Sequence, residues 1–598
     1  MCAKAKRGRH RKEWALGSQL LILPEPHAEA SCRSQIVTAQ AVELDMGKET
    51  ATVKGVSRWA KCSLQNSERD VSSTIKKQGT VLPVDVGALE LRGQIIPWID
   101  PRTWLEFLVT RGLWPHLAGC TRYQEDLAEN RWRKFWANYR VLNPGFSLFE
   151  DESINWSRTA AMILHGDEGR TLKHSALMCT AFQSALGRGY GEKRACNRED
   201  HSLRVNFQGH TFTNRFILSV MPKTCYESDP ETFHEIMGCI AESLSSLVHQ
   251  GVTDPTTGKL CHVVCIGCKG DAPYLAKVGR FYRSFNTQIK RGAERGPPKG
   301  VCHQCLAGTS GVPAEDICSM RPGWLQTMGV KLPWTRTPCL VQHLHHDPAD
   351  PSTFFQNDLW HVFHLGVGKS FCASTIQLCL EVVPGRNLDE KWSFLTESYL
   401  GWCRGAKRQA HVNKVSDYLM SYGDKTGAVG QWSKGALTTN LMLWMGVLLA
   451  QLPADGAGRL RRCLVAVKAV NTFFSFLFRS QVFLTQAESL YLAGLGFRFL
   501  KTYGELAMEM YRAGRPWLYP LYPKLHIYHH ALVKLKVDAE EKSKAINPLV
   551  WSCQMDEDIV GRASRLSRRV SIRTVMKRTF ERYLVQAYEA FQKAELLL

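Results

Sequence analysis

Long apolar runs are missing from this chain of 598 residues. The longest, Leu441 to Ala450 (LMLWMGVLLA), stops well short of the roughly 20 residues a membrane span requires, so a buried helix and no membrane partner are expected. The first residues, MCAKAKRGRHRKEW, lack an apolar stretch beside their basic side chains, which argues against a secretory leader. No repeat recurs at solenoid spacing. In HLGVGKS, Phe363 stands where a phosphate-binding loop needs its first glycine. The histidines of KLHIYHH (His526, His529, His530) lack the glutamate of H-E-x-x-H, so packed or hydrogen-bonded rings are expected there. No G-x-S-x-G elbow occurs. These absences argue against a P-loop nucleotide site, a zinc metalloprotease and an α/β-hydrolase.

Acidic residues are in deficit: 55 Asp and Glu face 76 Lys and Arg, a formal net charge of +21. Such an excess calls for a polyanionic partner, and nucleic acid is the commonest. Hydrophobic residues make up 44% of the chain, enough for substantial cores and against wholesale disorder. The 20 cysteines are scattered through a chain with no visible leader, so reduced thiols and an intracellular setting are expected. Lys4, Lys6, Arg7, Arg9, Arg11 and Lys12 read equally as a nuclear-import signal or a solvated tail.

Residues 1–92 are polar and unpatterned, expected to be basic and mostly disordered. A helical lead-in follows over 93–157, with Trp104, Phe107, Leu108 and Leu113 at helical spacing. From 158 to 290 the pattern is strand (Ala160–Leu164, ending at Asp167), strand (Ala176–Phe182), strand (Thr211–Met221), helix (Glu231–His249) and strand (Leu260–Ile266, leading to Asp271). Ile236, Ile240, Leu244 and Leu247 mark the buried stripe of that helix, and Pro273 opens another. Residues 291–545 begin as a loop with Cys302-His303-Gln304-Cys305 and continue as an all-α insertion. Residues 546–598 read as one or two helices, opened by Asp556-Glu557-Asp558.

Phosphodiester chemistry with two metal ions needs hard oxygen ligands from several elements. Strand ends suit, because the sheet fixes them while the loops beyond leave room for substrate. Asp167, Asp271 and an early acid of the last segment, Glu557 by choice among Asp556, Glu557 and Asp558, form such a set. Each acid alone has a plainer reading: a turn at Asp167, a helix N-cap at Asp271, compensation of a helix dipole at 556–558. The order taken together favours magnesium or manganese ligands on an α/β, RNase H-like mixed sheet core with a large all-α insertion.

That order resembles the DDE/DDD transposases of cut-and-paste DNA elements, in particular the CACTA-like branch and relatives with a large helical insertion. The resemblance spans roughly 160–585. It rests on HGDEG (165–169), KGDAPYL (269–275), Cys302-x-x-Cys305, DLWHVFHLGVGK (358–369) and MDEDIVGRASRLSRRVS (555–571). It implies metal-dependent DNA cleavage and strand transfer by Asp167, Asp271 and Glu557. It also implies a later histidine, His361 or His364, associated with the C-x-x-C pair. The chain departs from the pattern in having no N-terminal Cys/His finger array, which leaves open a catalytically inactive nucleic-acid-binding descendant. A zinc-stabilised helical scaffold unrelated to nucleases is a third reading.

Cys302 and Cys305 have the spacing of half a zinc site. Cys318, Cys339, His343, His345, His346, His361 and His364 all compete to complete it. The arginines Arg562, Arg565, Arg568, Arg569 and Arg573, with Lys369, are candidate contacts to DNA phosphates; the alternative for the arginines is a solvated helix face. The expected partner is DNA in the nucleus, with a homo-oligomer open.

Overall fold

The computed structural model describes residues 32–47, 56–170, 176–189, 201–285, 299–453, 455–568 and 570–597. The basic cluster Lys4–Lys12 lies outside these. The fold is mixed α/β, with a curled mixed sheet and extensive helical regions. Its strands are β1 (Gly87–Leu91), β2 (Gln94–Trp98), β3 (Thr159–Gly169), β4 (Leu177–Ser184), β5 (Arg215–Pro222), β6 (Val252–Thr253), β7 (Leu260–Gly270) and β8 (Phe355–Asn357). They lie in the order β1-β2-β5-β4-β3-β7-β6, with β8 also beside β7. The pairs β3–β4 and β4–β5 are antiparallel, whereas β3–β7 and β7–β8 are parallel.

The sequences of β3, β4, β5 and β7 dictate their central place. Every residue of β4 and β5 is buried, as are the first eight of β3 and all but the first of β7. Such strands must be covered on both faces. The helix Glu231–His249 packs on β7 through its stripe of Ile236, Ile240, Leu244 and Leu247. The lead-in helices are tied to the sheet by indole hydrogen bonds. Trp104 Nε1 donates to the Ile217 carbonyl at 2.9 Å, and Trp136 Nε1 to that of Thr159 at 2.7 Å. The tryptophans of this segment are therefore core.

Two regions differ from the sequence expectation, 211–221 and 1–92. The strand read at 211–221 starts as a short helix, Thr211–Asn214, and becomes β5 only at Arg215. The His210 ring caps that turn by accepting from the Phe212 amide. The last segment, by contrast, is within expectation, as two helices, Asp556–Leu566 and Val575–Lys593. Residues 1–92, whose polarity predicts little order, contain the helices Cys32–Met46, Val56–Ala60 and Ser67–Lys77, and then β1. Their few apolar side chains meet between helices, in two small clusters around Ile36–Val71 and Ala39–Val56. No single helix shows a long apolar stripe, which hid them.

Beyond β8, the helices Gly368–Cys379, Leu388–Gly405, Gly435–Gln451, Arg459–Arg479, Gln486–Arg512 and Pro523–Lys542 form the expected helical insertion. Its buried side chains are continuous with the core around the sheet. Among the described residues no helix is long and apolar enough to cross a membrane, and the cysteines are free.

Candidate metal centres

Asp167 lies three residues from the end of β3, and Asp271 follows directly on β7. The parallel register pairs Gly166 with Gly270, which sets the two acids side by side. Glycine is required at both positions by a close approach. A Cβ on Gly166 would sit 2.2 Å from the Tyr274 ring, and one on Gly270 2.4 Å from it. Tyr274 stands in the helix Ala272–Val278 and covers both strand ends. Asp271 caps this helix, its Oδ1 accepting from the Tyr274 amide at 2.7 Å. The cap and the ligand readings of Asp271 therefore coexist, because a carboxylate has a second oxygen.

The third acid is singled out by what its neighbours do. Asp556 is sealed in the interior, with Arg215 Nε at 3.0 Å and Lys269 Nζ at 2.8 Å. Asp558 is held by Thr211 and by Arg562 Nε, the latter at 2.6 Å. Glu557 alone turns toward Asp167. Asp167, Glu557 and His361 each offer a ligand atom within 4.8 Å of the other two. Asp271 is not one of that trio, but its charge acts on Asp167.

His361 belongs to this cluster and not to the cysteines. It sits in the one-turn helix Leu359–Val362, whose N-cap Asp358 accepts from the amides of Trp360 and His361. Asp358 Oδ2 also lies 2.6 Å from His361 Nδ1, and His361 Nε2 lies 3.4 Å from Glu557 Oε1. Asp358 is anchored in turn by the Cys553 amide at 3.0 Å.

The electrostatics are those of crowded carboxylates. Burial, then the charges of Asp271 and Glu557, push the Asp167 carboxyl up to about 8. Burial raises Asp271 and Glu557 as well. Burial opposes the charged form of His361, but the Asp358 hydrogen bond and charge, with Glu557 and Asp167, lift it to about 9. A pocket that resists holding several negative charges is suited to a cation that would neutralise them.

A second cluster forms in the insertion. Cys302, Cys305 and His530, all buried, place ligand atoms within 4.8 Å of one another. His526 Nε2 lies 3.4 Å from Cys305 Sγ, from the same helix, Pro523–Lys542. Trp324 stacks on His530 with ring centroids 4.5 Å apart and meets His526 edge-on. The Cys302 thiol is held well below its usual range, by Cys305 first and His526 next, against burial. His530 Nε2 is buried without a hydrogen-bond partner, an orphan a metal would satisfy. Two thiols and two imidazoles one turn apart are a zinc donor set.

The other competitors for these cysteines are placed elsewhere. His364 is buried against Phe474, ring centroids 4.7 Å apart. His345 bonds Ser147, His343 faces Glu242, and His346 bonds the Leu344 carbonyl. Cys318 is exposed and sits near the Leu500 carbonyl, and Cys339 opens the short helix Cys339–His343. His529 turns to the Ser319 carbonyl at 2.6 Å. The association of the cysteines with His361 or His364 is thus corrected to His526 and His530. The H-x-x-x-H spacing was the available signal, hidden by the separation of 221 positions from Cys305 to His526.

Of the basic candidates, Lys369 is half-buried and donates to the Trp432 carbonyl at 2.6 Å, so its ammonium is committed inward. Arg562 pairs with Asp558 and lies over the Phe212 ring. Arg565 and Arg568 are half-buried, Arg573 is exposed, and Arg569 lies outside the described residues. No family model and no curated protein matches the chain.

Proposed function

We propose that this protein carries out transposase-like, metal-dependent DNA cleavage and strand transfer on an RNase H-like core. The observation that carries the proposal is the approach of Glu557, from the helix Asp556–Leu566, to Asp167 on β3, with Asp271 brought beside Asp167 by the β3–β7 register. The central order β5-β4-β3-β7-β8, with a helix between β5 and β7, is the framework such a site needs. The net charge of +21 supports a polyanionic substrate.

Asp167, Asp271 and Glu557 would hold magnesium or manganese. When bound, these ions supply an activated water or 3′-hydroxyl and neutralise the departing oxygen. The chain's own residues prepare the pocket. Tyr274 closes over the glycines beside the two aspartates, and Asp358 fixes the His361 ring, which orients Glu557. Arg562, Arg565, Arg568 and Arg573 would follow the phosphate backbone beside the site. Zinc held by Cys302, Cys305, His526 and His530 would tie the C-x-x-C loop to the helix Pro523–Lys542.

Plasmid nicking in Mn²⁺ or Mg²⁺ tests the reading. Activity should be lost in Asp271→Asn, while asparagine keeps the helix cap and hence the fold. Equal nicking by this variant and the parent chain would refute it. Salt-dependent DNA binding with no nicking by either would instead identify a binding protein.

A further inference from the structure

The one-turn helix that carries His361 is capped locally by the Phe363 amide, which donates to the Leu359 and Trp360 carbonyls and leaves that of His361 to another donor. The chain continues into a π-helical turn, Phe363–Val367, that is broken inside, with φ −108° and ψ 19° at Leu365 and φ −146° and ψ −105° at Gly366. Carbonyls beside such a break need a donor. They receive one from far along the chain: Lys524 Nζ lies 3.2 Å from the His361 carbonyl and 3.0 Å from that of Leu365. The fit is close, because a Cβ on Gly366 would fall 2.4 Å from Lys524 Cδ.

Lys524 stands in the first turn of the helix Pro523–Lys542, which also presents His526 and His530 to Cys302 and Cys305. One rigid element therefore touches both clusters. Its histidines face the thiols, and its lysine caps the turn whose imidazole contacts Glu557. A cation at a helix C-terminus also opposes the negative end of the backbone dipole.

We propose that Lys524 is a positioning residue that couples metal occupancy of the Cys/His cluster to divalent-cation binding at the carboxylates. Zinc fixes the helix Pro523–Lys542, the helix fixes Lys524, and Lys524 holds His361 where it orients Glu557. The inference rests on the carboxylate reading above and adds a second requirement, that the two centres communicate.

The test uses the full chain, zinc content by mass spectrometry and Mn²⁺ titration followed by electron paramagnetic resonance. Lys524→Met should keep its zinc yet bind Mn²⁺ about tenfold more weakly, the usual scale for losing a residue that orients a ligand. Lys524→Arg, which retains a cationic donor, should recover much of the affinity. Cys305→Ser should lose zinc and weaken Mn²⁺ binding, and adding Lys524→Met to it should weaken binding little further. If Lys524→Met fails to fold, Gly366→Ala, which displaces the lysine stem, is read in the same way. Zinc-loaded Lys524→Met with Mn²⁺ affinity within about twofold of the parent, or fully additive losses in the double variant, would overturn the coupling. A parent chain that binds zinc but no Mn²⁺ would overturn the carboxylate reading as well, and one that binds Mn²⁺ but no zinc would overturn the coupling alone.

Discussion

Lys269 Nζ lies 2.8 Å from Asp556 Oδ2, and neither residue is more than 1% exposed. This pair joins the end of β7, two residues before Asp271, to the first turn of the helix Asp556–Leu566, one residue before Glu557. Arg215 from β5 contacts the same carboxylate, and Lys269 also donates to the Ser552 carbonyl at 2.7 Å. Asp271 and Glu557 are therefore held in register by a buried ionic bolt that is not itself part of the site.

Breaking that bolt should be costly. Asp556→Ala leaves two buried cations without their counter-ion, and the expected destabilisation is about 3–5 kcal/mol. Because burial alone would raise this acid, its lowered pKa reports how strongly Lys269 and Arg215 favour the charged form. The stability it provides is present at neutral pH and lost as pH falls below the ordinary aspartate range. Urea denaturation of Asp556→Ala and Glu557→Ala separates the roles. The first should unfold much more easily, and the second should be close to the parent.

Asp167 works in the opposite direction. Its carboxyl rises from 3.8 to about 8 in the folded protein, so the native state holds its proton more tightly than the unfolded chain does. Metal-free stability should therefore fall as pH rises from about 4 to about 8. His361, raised to about 9, adds a loss in the same sense at higher pH. Asp167→Asn should flatten the slope and make the metal-free protein more stable at pH 8 by at least about 1.4 kcal/mol, the equivalent of one pKa unit. Melting curves across that range without divalent cation check it. A parent chain whose stability rises over the same interval would contradict the crowding of these acids.

Zinc occupancy should depend on His530 and not on His529 or His364. His530→Ala removes a ring that faces the cysteines, whereas His529 is turned to the Ser319 carbonyl and His364 packs on Phe474. Loss of metal from the first variant should lower stability by about 2.7 kcal/mol where free zinc is a hundredfold above its Kd. Metal analysis with melting curves of all three variants decides the matter. Equal zinc in His530→Ala and the parent would exclude this donor set.

Gly166→Ala should harm both fold and site. The new Cβ would lie 2.2 Å from the Tyr274 ring, so the ring must move off the strand ends. Overpacking of this kind costs about 1–3 kcal/mol. Gly494→Ala, where nothing lies within 4 Å of the new Cβ, serves as the comparison. Thermal melts and Mn²⁺ binding should both separate the two variants.

Much of the sheet was legible because its strands advertise themselves. Both aspartates follow apolar runs, each with a glycine immediately before it, and the helix between them has a clean stripe. The N-terminal helices were not, since their apolar contacts are shared between short segments. His361 was visible as a metal-capable residue but not as the neighbour of Glu557. Nothing local distinguishes it from His364, three positions on, whose ring is buried against Phe474.

The sequence by itself determined the order of apolar runs, the glycine-aspartate strand ends and the charge that favours a polyanion. These are local or compositional properties, read directly from residue types and spacing. Only the tertiary structure decided which of Asp556, Glu557 and Asp558 faces Asp167. Successive helix positions point about 100° apart, so the choice depends on how the helix is rotated against the sheet. The pair Lys269–Asp556 sets that rotation. The meeting of Cys302 and Cys305 with His526 and His530 was likewise decided by the packing of one long helix across the insertion, since the C-x-x-C and H-x-x-x-H spacings do not say that the two pairs meet.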